Sequence, residues 1–448
     1  MANNHPREQL TTKALIVWFG AVAVYAVAIL GRTSFGVASV EAIDRFNVDA
    51  SRIAVFTAVQ VGVYAFAQIP TGLLIDRLGP RFMLVAGAII MAVGQIVLGL
   101  TTSYGVAIVA RVLIGAGDAT AFLSGMRILP YWFPPRKTPL FTQLTAALGQ
   151  LGQFLSAVPF LALLTAKGWT VSFVSLGALG LLVALLAAIA VADTPEWAEM
   201  TPGQRREIKQ QRQDDRTPMK EVLGVVLRSP IAWEAFFIHG WVIFWMFSFC
   251  LLWGLPLMTL GMGLTESQAG TVLILFTVVN IASAPFVGAV SARMGSSRDL
   301  GALILGGVTP LAWIIFFLPS EPRSYAAILT MAIIMGLCVP TSNFGFDAVR
   351  ENLPTNMVAT GTGLGNMGGF VATMIGAQTV GVLLDHSSHG QAYQWHDFQL
   401  AWIAFYVTAA VLLIGLLVSR RKAQRLTATP RVKIVNEAPA ERQKLQQA

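Results

Sequence analysis

Apolar runs of about 20 residues recur along this chain, each long enough to cross the ~30 Å hydrocarbon core of a bilayer as a helix. Twelve can be marked, near 14–38, 53–75, 82–101, 104–130, 139–165, 169–192, 231–258, 267–291, 299–319, 324–346, 356–384 and 398–419. In lipid every backbone polar group must be satisfied within its own segment, so such runs can only be helices. Hydrophobic residues make up 55% of the chain and charged ones 12%, against about 25% charged in soluble proteins. The polar head Met1 to Lys13 leads straight into a full-length run with no small-residue cleavage site, so the first run is expected to stay in the mature protein.

The runs fall into two copies. Gly72-Leu-Leu-Ile-Asp76-Arg77-Leu-Gly79-Pro-Arg81 sits between runs two and three, and a worn copy, Gly288-Ala-Val-Ser-Ala292-Arg293-Met-Gly295, sits between runs eight and nine. Gly72, Arg77 and Gly79 fall on Gly288, Arg293 and Gly295 at a constant offset of 216 residues. The same offset lays Leu148-Gly149-Gln150-Leu-Gly152-Gln-Phe154 on Leu364-Gly365-Asn366-Met-Gly368-Gly-Phe370. Two dissimilar motifs sharing one offset indicate a parallel internal repeat. The expected organisation is an N-tail over 1–13, a six-helix bundle over 14–192, a polar linker over 193–230, a second bundle over 231–420 and a basic tail over 421–448.

Basic residues set the orientation. Arg7, Lys13, Arg77, Arg81, Arg136, Lys137, the cluster from Arg205 to Arg228, Arg293, Arg298, Arg350 and the tail from Arg420 all fall on one side. Arg45, Arg52, Lys167 and Arg323 fall on the other. The richer side is expected to be the cytoplasm, with both termini there and the chain in the cytoplasmic (inner) membrane. The net charge of +8 is then a topology signal and no sign of a nucleic-acid partner; membrane lipid is the expected surround.

Three basic residues remain inside the runs, Arg32, Arg111 and Arg127, and one acid lies at mid-depth, Asp118. From Tyr104 it is 14 residues along a helix, or about 21 Å. A carboxylate there costs about 2.5–3.5 kcal/mol on insertion scales. It reads either as a proton-binding site or as one member of an ion pair that fastens helices. Arg111, seven residues earlier on the same helical face, is its expected neighbour. Glu234 and Asp347 lie close enough to helix ends to be expected to reach water. Arg32, in Gly31-Arg32-Thr33-Ser34, is either a fork for a carboxylate or phosphate or a side chain reaching for the outer interface.

Neutral hydrogen-bonding residues pair up under the offset: Tyr64 with Asn280, and Gln150 with Asn366. Such groups either line a site at the repeat interface or join helices. The box Gly72, Asp76, Arg77, Gly79 and Arg81, with Arg127, reads as a gate: charges at a helix end can bond neighbouring helix ends, and breaking those bonds would let the halves rock.

These residues resemble the major facilitator superfamily. The box is similar to its 2–3 loop signature, and Arg111-Val-Leu-Ile-Gly115-Ala-Gly117 to its span-four signature. The resemblance implies an all-α membrane protein of twelve helices in two pseudo-symmetric six-helix bundles, and a secondary transporter. Gly115-Ala-Gly117-Asp118-Ala119 with Arg127 and Tyr131-Trp132-Phe133-Pro134 is similar, more narrowly, to the anion:cation symporters. That branch implies a proton site at Asp118, a substrate carboxylate on Arg32, and lining by Tyr64, Gln150 and Asn366. The chain departs from the branch at Gly31, where an acid often precedes the arginine, and at Asp118-Ala-Thr120, where Glu-Ala-Pro is usual.

The expectation is therefore proton-coupled uptake of a small organic anion by a chain that works as a monomer, with no cofactor, no bound metal and no enzymatic activity. Two readings stand beside it. One is drug or metabolite efflux, against which span five lacks a Gly-Pro signature, since Pro159 follows Val158. The other is a transporter-like receptor signalling through the basic linker and tail. Cys250 and Cys338 are expected to be reduced and packed. His386, His389 and His396 beside Asp385 and Asp397 fit no standard metal set. His239 reads as a helix-joining hydrogen bonder or a second titrating group.

Overall fold

A computed structural model describes residues 8–48, 50–201, 203–204 and 217–428. Parts of the expected tails and linker (1–7, 205–216 and 429–448) lie outside the described residues.

Among the described residues every regular element is helical. Ten continuous helical stretches are long and apolar enough to cross a membrane. Two of them, Thr138–Ala190 and Glu266–Phe317, run for 53 and 52 residues. At 1.5 Å per residue each would be about 80 Å long if straight, far beyond one hydrocarbon core. Both fold back at a glycine of positive φ, Gly168 (74°) and Gly295 (51°), where an L side chain would be strained. The twelve expected crossings result.

They are α1 Thr12–Val37, α2 Ala50–Leu78, α3 Pro80–Leu100, α4 Tyr104–Trp132 and α5 Thr138–Gly149. The fifth crossing continues through Leu151–Leu155 and a π-turn at Ser156–Phe160, and α6 is the part of Leu161–Ala190 beyond Gly168. In the second half come α7 Pro230–Ser248, α8 Glu266–Met294 and α9 Arg298–Phe317. Then follow α10 Tyr325–Cys338 with its continuation Phe344–Asn352, α11 Val358–Ser388 and α12 Ile403–Ala428. A short helix, Met219–Arg228, lies between the halves.

Burial explains the arrangement. One apolar core runs from Ala14 to Val191, and a second from Ile238 to Leu416. Phe346 and Ala359 are the second-half residues that insert into the first core. Ile189, Phe286 and Leu318 point outward, at 77%, 75% and 72% exposure. Large apolar side chains turned out along whole helices are a surface that suits lipid and not water. α4 is buried along most of its length from Ala107 to Trp132.

The halves meet α2 against α11 and α5 against α8. A Cβ at Gly72 would lie 2.6 Å from Ala359 O and Thr360 Cα, and one at Gly288 would lie 2.8 Å from Leu140 Cα. Both glycines of the repeated box thus mark close approaches of the two halves. The helix Met219–Arg228 lays Val222 and Val226 against Leu73 of α2 and Leu364 of α11, spanning both halves. Hydrogen bonds join α1–α6 to α7–α12 at this end, called here the box end, and at the level of the central cavity.

Gly72→Leu should therefore wedge α2 off α11 and lower stability by about 1–3 kcal/mol, the usual cost of overpacking a filled interface. Gly62→Ala, on the same helix with nothing within 4 Å of the added carbon, should be neutral or slightly stabilising. Thermal melts of the two variants in detergent separate a packed junction from a merely permissive helix.

Candidate functional site

Asp118 is fully buried on α4. Its carboxylate faces Arg32 on α1: Nε donates to Oδ2 at 2.7 Å and Nη2 to Oδ1 at 3.0 Å. This is a two-pronged pair, the geometry in which guanidinium and carboxylate bind most strongly. The Arg32 guanidinium lies 4.3 Å from the ring centroid of Tyr64 on α2 and 5.8 Å from that of Phe370 on α11. Two π-faces thus add to the stabilisation of a charge held in a low-dielectric interior.

The expected neighbour of Asp118 was Arg111, and here the structure differs. Arg111 donates from Nε to Phe56 O at 3.4 Å and lies 4.6 Å over the ring of Phe35. No hydrogen bond joins it to Asp118 among the described residues. Seven residues along one helix are about 10 Å, which shares a face without reaching contact. Arg32 likewise does not reach for the outer interface; it is turned inward and its side chain is 15% exposed.

In front of the pair lies a central cavity of about 90 Å³, room for several water molecules or one compact solute. All four residues matched by the repeat line it: Tyr64, Gln150, Asn280 and Asn366. Asn366 Nδ2 donates to Tyr64 Oη at 3.1 Å and to Gln68 Oε1 at 2.8 Å, tying α11 to α2. Gln150 sits at the joint between Thr138–Gly149 and Leu151–Leu155, where the fifth crossing bends. Arg32 is the one charged arginine, lysine or carboxylate side chain among the lining residues.

The floor at the box end comes from groups not singled out in the sequence. Gln143 Nε2 donates to Pro340 O at 2.9 Å, and Asn343 Nδ2 donates to Gln143 Oε1 at 2.9 Å. His239 lines the cavity, contacts Ser342 O through Nδ1 at 3.3 Å and packs on Phe346, its ring centroid 4.8 Å away. It joins α7 to the α10 segment.

Below the floor, Asp76 on α2 caps α11. Its Oδ1 accepts from Ala359 N at 3.1 Å, and its Oδ2 from Thr360 N and Thr360 Oγ1 at 2.8 Å each. These N–H groups belong to the first turn of α11 and have no intrahelical partner, so the carboxylate meets both free donors and the positive end of the helix dipole. Arg127 on α4 donates to Asp76 from Nε at 3.1 Å and lies 4.8 Å over Tyr131.

The other members of the box serve the first half itself. Gly79 has φ of 92°, and a Cβ there would crowd the Asp193 carboxylate at 2.7 Å. The Arg81 backbone N–H donates to Asp193 Oδ1 at 2.8 Å, and its side chain donates to Ala188 O, so both stitch α3 to the end of α6. Arg77 is exposed beside this junction.

The second half lacks an acid in its box, Ala292 standing where Asp76 does. Asp347 takes over the bridging. Its Oδ2 accepts from Ser291 Oγ on α8, and its Oδ1 from Arg350 Nη1 at 2.8 Å and from Thr142 Oγ1 on α5 at 3.4 Å. Arg350 Nη1 also donates to Thr142 Oγ1 at 3.1 Å. The expectation that Asp347 and Glu234 reach water is corrected: both are buried, at 0% and 6% exposure, because neighbouring helices cover them from the side. In the far loop Asp385 accepts from Tyr393 and Asp397 from Ser387 and Gln394, so those carboxylates are engaged by hydroxyl and amide donors.

The model of the Major Facilitator Superfamily matches residues 21–377. The chain belongs to this superfamily. It is a multi-pass membrane transporter of a small-molecule substrate, and its relatives are transporters and not enzymes. A probable sulfoacetate transporter of Cupriavidus necator is 24% identical over 431 residues, covering 92% of this chain and 94% of that protein. A probable nitrate/nitrite transporter of Mycobacterium tuberculosis is 23% identical over 377 residues, 82% of this chain and 89% of its own. A probable L-galactonate transporter of Escherichia coli is 28% identical over a shorter 175 residues, 39% of this chain and 38% of its own.

The buried pair makes an asymmetric forecast for stability. Asp118→Ala strands a guanidinium that cannot shed its charge and should cost about 3–5 kcal/mol, the usual penalty for breaking a buried ion pair. Arg32→Ala strands a carboxyl that can neutralise itself by taking a proton, so it should cost less. The double variant should be less destabilised than the two singles added together. Thermal unfolding of the three variants checks all of this; equal and additive losses would mean that the two side chains do not act as a pair.

Proposed function

We propose that this transporter imports a small organic anion together with protons across the cytoplasmic membrane, by alternating access, as a single chain with both termini in the cytoplasm. The observation that carries this reading is the Arg32–Asp118 pair set at the wall of a cavity whose other polar lining is neutral. A guanidinium is satisfied equally well by the carboxylate of the protein or by one from a solute. When a substrate anion comes to Arg32, two negative groups compete for one cation, and a proton on Asp118 relieves the repulsion. Proton and anion therefore favour each other's binding, which is reciprocal linkage between two sites.

The lining suits the rest of such a solute. Tyr64, Gln150, Asn280 and Asn366 offer neutral donors and acceptors, two from each half. The relatives described as probable sulfoacetate, L-galactonate and nitrate/nitrite transporters share anionic cargo and so support an anion. A cavity of about 90 Å³ favours a compact one. The charged group that the cavity wall presents is a guanidinium, with its carboxylate partner behind it, which suits an anion better than a cationic drug and weighs against efflux of that class.

In this reading the box end is cytoplasmic and the structure has that side shut. Asp76 on the first turn of α11 and Asp347–Arg350 on Thr142 are the two latches, and Arg127 holds Asp76 in place. Opening toward the cytoplasm breaks both while the two halves rock about the cavity.

Binding can be tested first. Purified protein and the Arg32→Ala variant are melted with sugar acids, short carboxylates, sulfoacetate, nitrate and lipophilic cations. A ligand at 100 times its dissociation constant should add about 2.7 kcal/mol of stability to the wild type. An anion that stabilises the wild type and not the variant is the expected result. Stabilisation by lipophilic cations alone would turn the assignment to efflux, and a ligand that binds but never crosses the membrane would turn it to a receptor.

Coupling is tested in proteoliposomes. Asp118→Asn keeps a hydrogen-bonding side chain but cannot carry the proton. It should lose accumulation driven by a pH gradient while retaining exchange of labelled substrate. Unchanged accumulation would remove Asp118 from the mechanism.

A further inference from the structure

At the floor of the central cavity stands a hydrogen-bonding group that neither the ion pair nor the two latches use. His239 on α7 lines the cavity and is 4% exposed. Its ring packs on Phe346, 4.8 Å between centroids, and its Nδ1 lies 3.3 Å from Ser342 O. A carbonyl oxygen can only accept, so Nδ1 carries the hydrogen. In the neutral imidazole that fixes the tautomer and leaves Nε2 as a bare lone pair. Nε2 has no hydrogen-bond partner among the described residues. Its edge of the ring runs past Gly369 of α11, which has no side chain to cover it; a Cβ there would lie 3.2 Å from Nε2.

Such an acceptor is out of place in a cavity made only for anions. Gln150, Gln153 and Asn280 carry amides that can turn a donor toward an anion. Among the described lining residues, His239 is the one whose free side-chain atom is a strong acceptor with no hydrogen to give. The floor beside it is built of acceptors too, Pro340 O and Ser342 O. Carboxylate, sulfonate and nitrate oxygens are themselves acceptors, so none of them satisfies this end. Water can do so in the empty carrier, but a solute that displaces the water must bring a donor or leave a buried acceptor unpaired. The other source of a donor is a proton on the imidazole, and among the described residues no carboxylate lines the cavity to hold that second cation.

We infer that His239 reads a hydroxyl on the transported anion: the solute's carboxylate meets Arg32, and a hydroxyl remote from that carboxylate donates to Nε2. This rests on the function proposed above and adds the solute's second functional group and the residue that selects it. The two contacts lie at different depths. The repeat lays Arg32 on Ser248, and His239 stands nine residues earlier on α7, about 14 Å nearer the box end along the helix. Anion and hydroxyl are thus read at opposite ends of the cavity. A solute with a second anionic group at the far end presents acceptors to acceptors and is disfavoured.

The test measures affinities by thermal-shift titration of the full chain at about pH 7.5, where an ordinary imidazole is mostly neutral. The probes come in triplets: propionate, butyrate and hexanoate, each beside its terminal hydroxy and terminal methoxy form. A methoxy oxygen occupies the place of the hydroxyl but has no hydrogen to donate. At one chain length or more the hydroxy acid should bind about 10-fold more tightly than its parent and its ether, the discrimination of one well-made hydrogen bond. His239→Phe keeps a ring on Phe346 and removes the acceptor, so it should bring that ratio close to one. His239→Gln restores an acceptor and should keep the ratio above one; His239→Leu takes the place of a phenylalanine variant that does not fold. A methoxy form bound as well as the hydroxy form at every length would overturn the inference. So would a ratio that survives His239→Phe, an equal loss of all three members in that variant, or malonate or sulfoacetate bound more tightly than any hydroxy acid. In those cases anion binding that is lost in Arg32→Ala leaves the proposed function standing. Binding of no anion, or binding unaffected by Arg32→Ala, would overturn both.

Discussion

Two opposite charges in the middle of a membrane can be tolerated only against each other, and the pair of Arg32 and Asp118 orders much of the first half around itself. Asp118 can be wholly buried only if α4 is enclosed, and α4 is enclosed because glycines let its neighbours come close. A Cβ at Gly115 would lie 2.7 Å from Gln60 O of α2, and one at Gly94 of α3 would lie 2.8 Å from Ile114 of α4. α1 supplies the guanidinium from across the bundle, and α2 supplies the aromatic face beneath it. α11 then reaches the same spot from the second half through Phe370 and Asn366. A site at the interface of two bundles is thus built chiefly on one of them, with the other supplying neutral contacts.

The same asymmetry runs through the box end. The backbone repeats: Gly72 packs on α11 as Gly288 packs on α5. The chemistry does not. In one junction a carboxylate on α2 caps a helix N-terminus directly. In the other the acid has moved to the α10 segment, is neutralised by Arg350 three residues on, and meets only a hydroxyl across the gap. A capping carboxylate gains from two free N–H groups and a helix dipole, whereas the salt-paired Asp347 gains a single neutral hydroxyl donor from Thr142. On the proposed reading, Asp76 on α11 is the stronger of the two charged latches. The helix Met219–Arg228, packed over the α2–α11 junction through Val222 and Val226, adds to the same side.

Most of the fold was legible in the sequence because its causes are local. Run length decides what can span lipid, and the breaks between runs decide where the chain turns back. A constant offset reveals the repeat, and the residues it matches, Tyr64 with Asn280 and Gln150 with Asn366, line one cavity because they lie close to the axis that relates the halves. The partner of Asp118 was not legible. Helical periodicity ranks neighbours along one helix and so pointed to Arg111, whereas the actual partner is 86 residues away on another helix. Asp347 and Glu234 show the same limit, for distance from a helix end measures depth and is silent about what packs alongside. Gln68, Gln143 and Asn343 were passed over because a lone amide in an apolar run has no spacing that distinguishes a floor from a joint.

The pair also bears on how an empty carrier could return. A transporter that binds anions with a bare arginine faces a difficulty once its cargo has left, because a lone guanidinium would have to pass through a closed, water-poor state at a cost of several kcal/mol. An internal carboxylate removes the difficulty by serving as a stand-in for the cargo. It has to sit behind the cation and not in front of it, or it would block the anion, and Asp118 does sit behind: Arg32 lines the cavity while Asp118, fully buried, does not. It must also be able to lose its charge when the cargo arrives, which a carboxyl can do and a second fixed charge cannot. On the proposed reading, the burial of Asp118 behind Arg32 follows from one requirement, that the cation be compensated in both the loaded and the empty carrier.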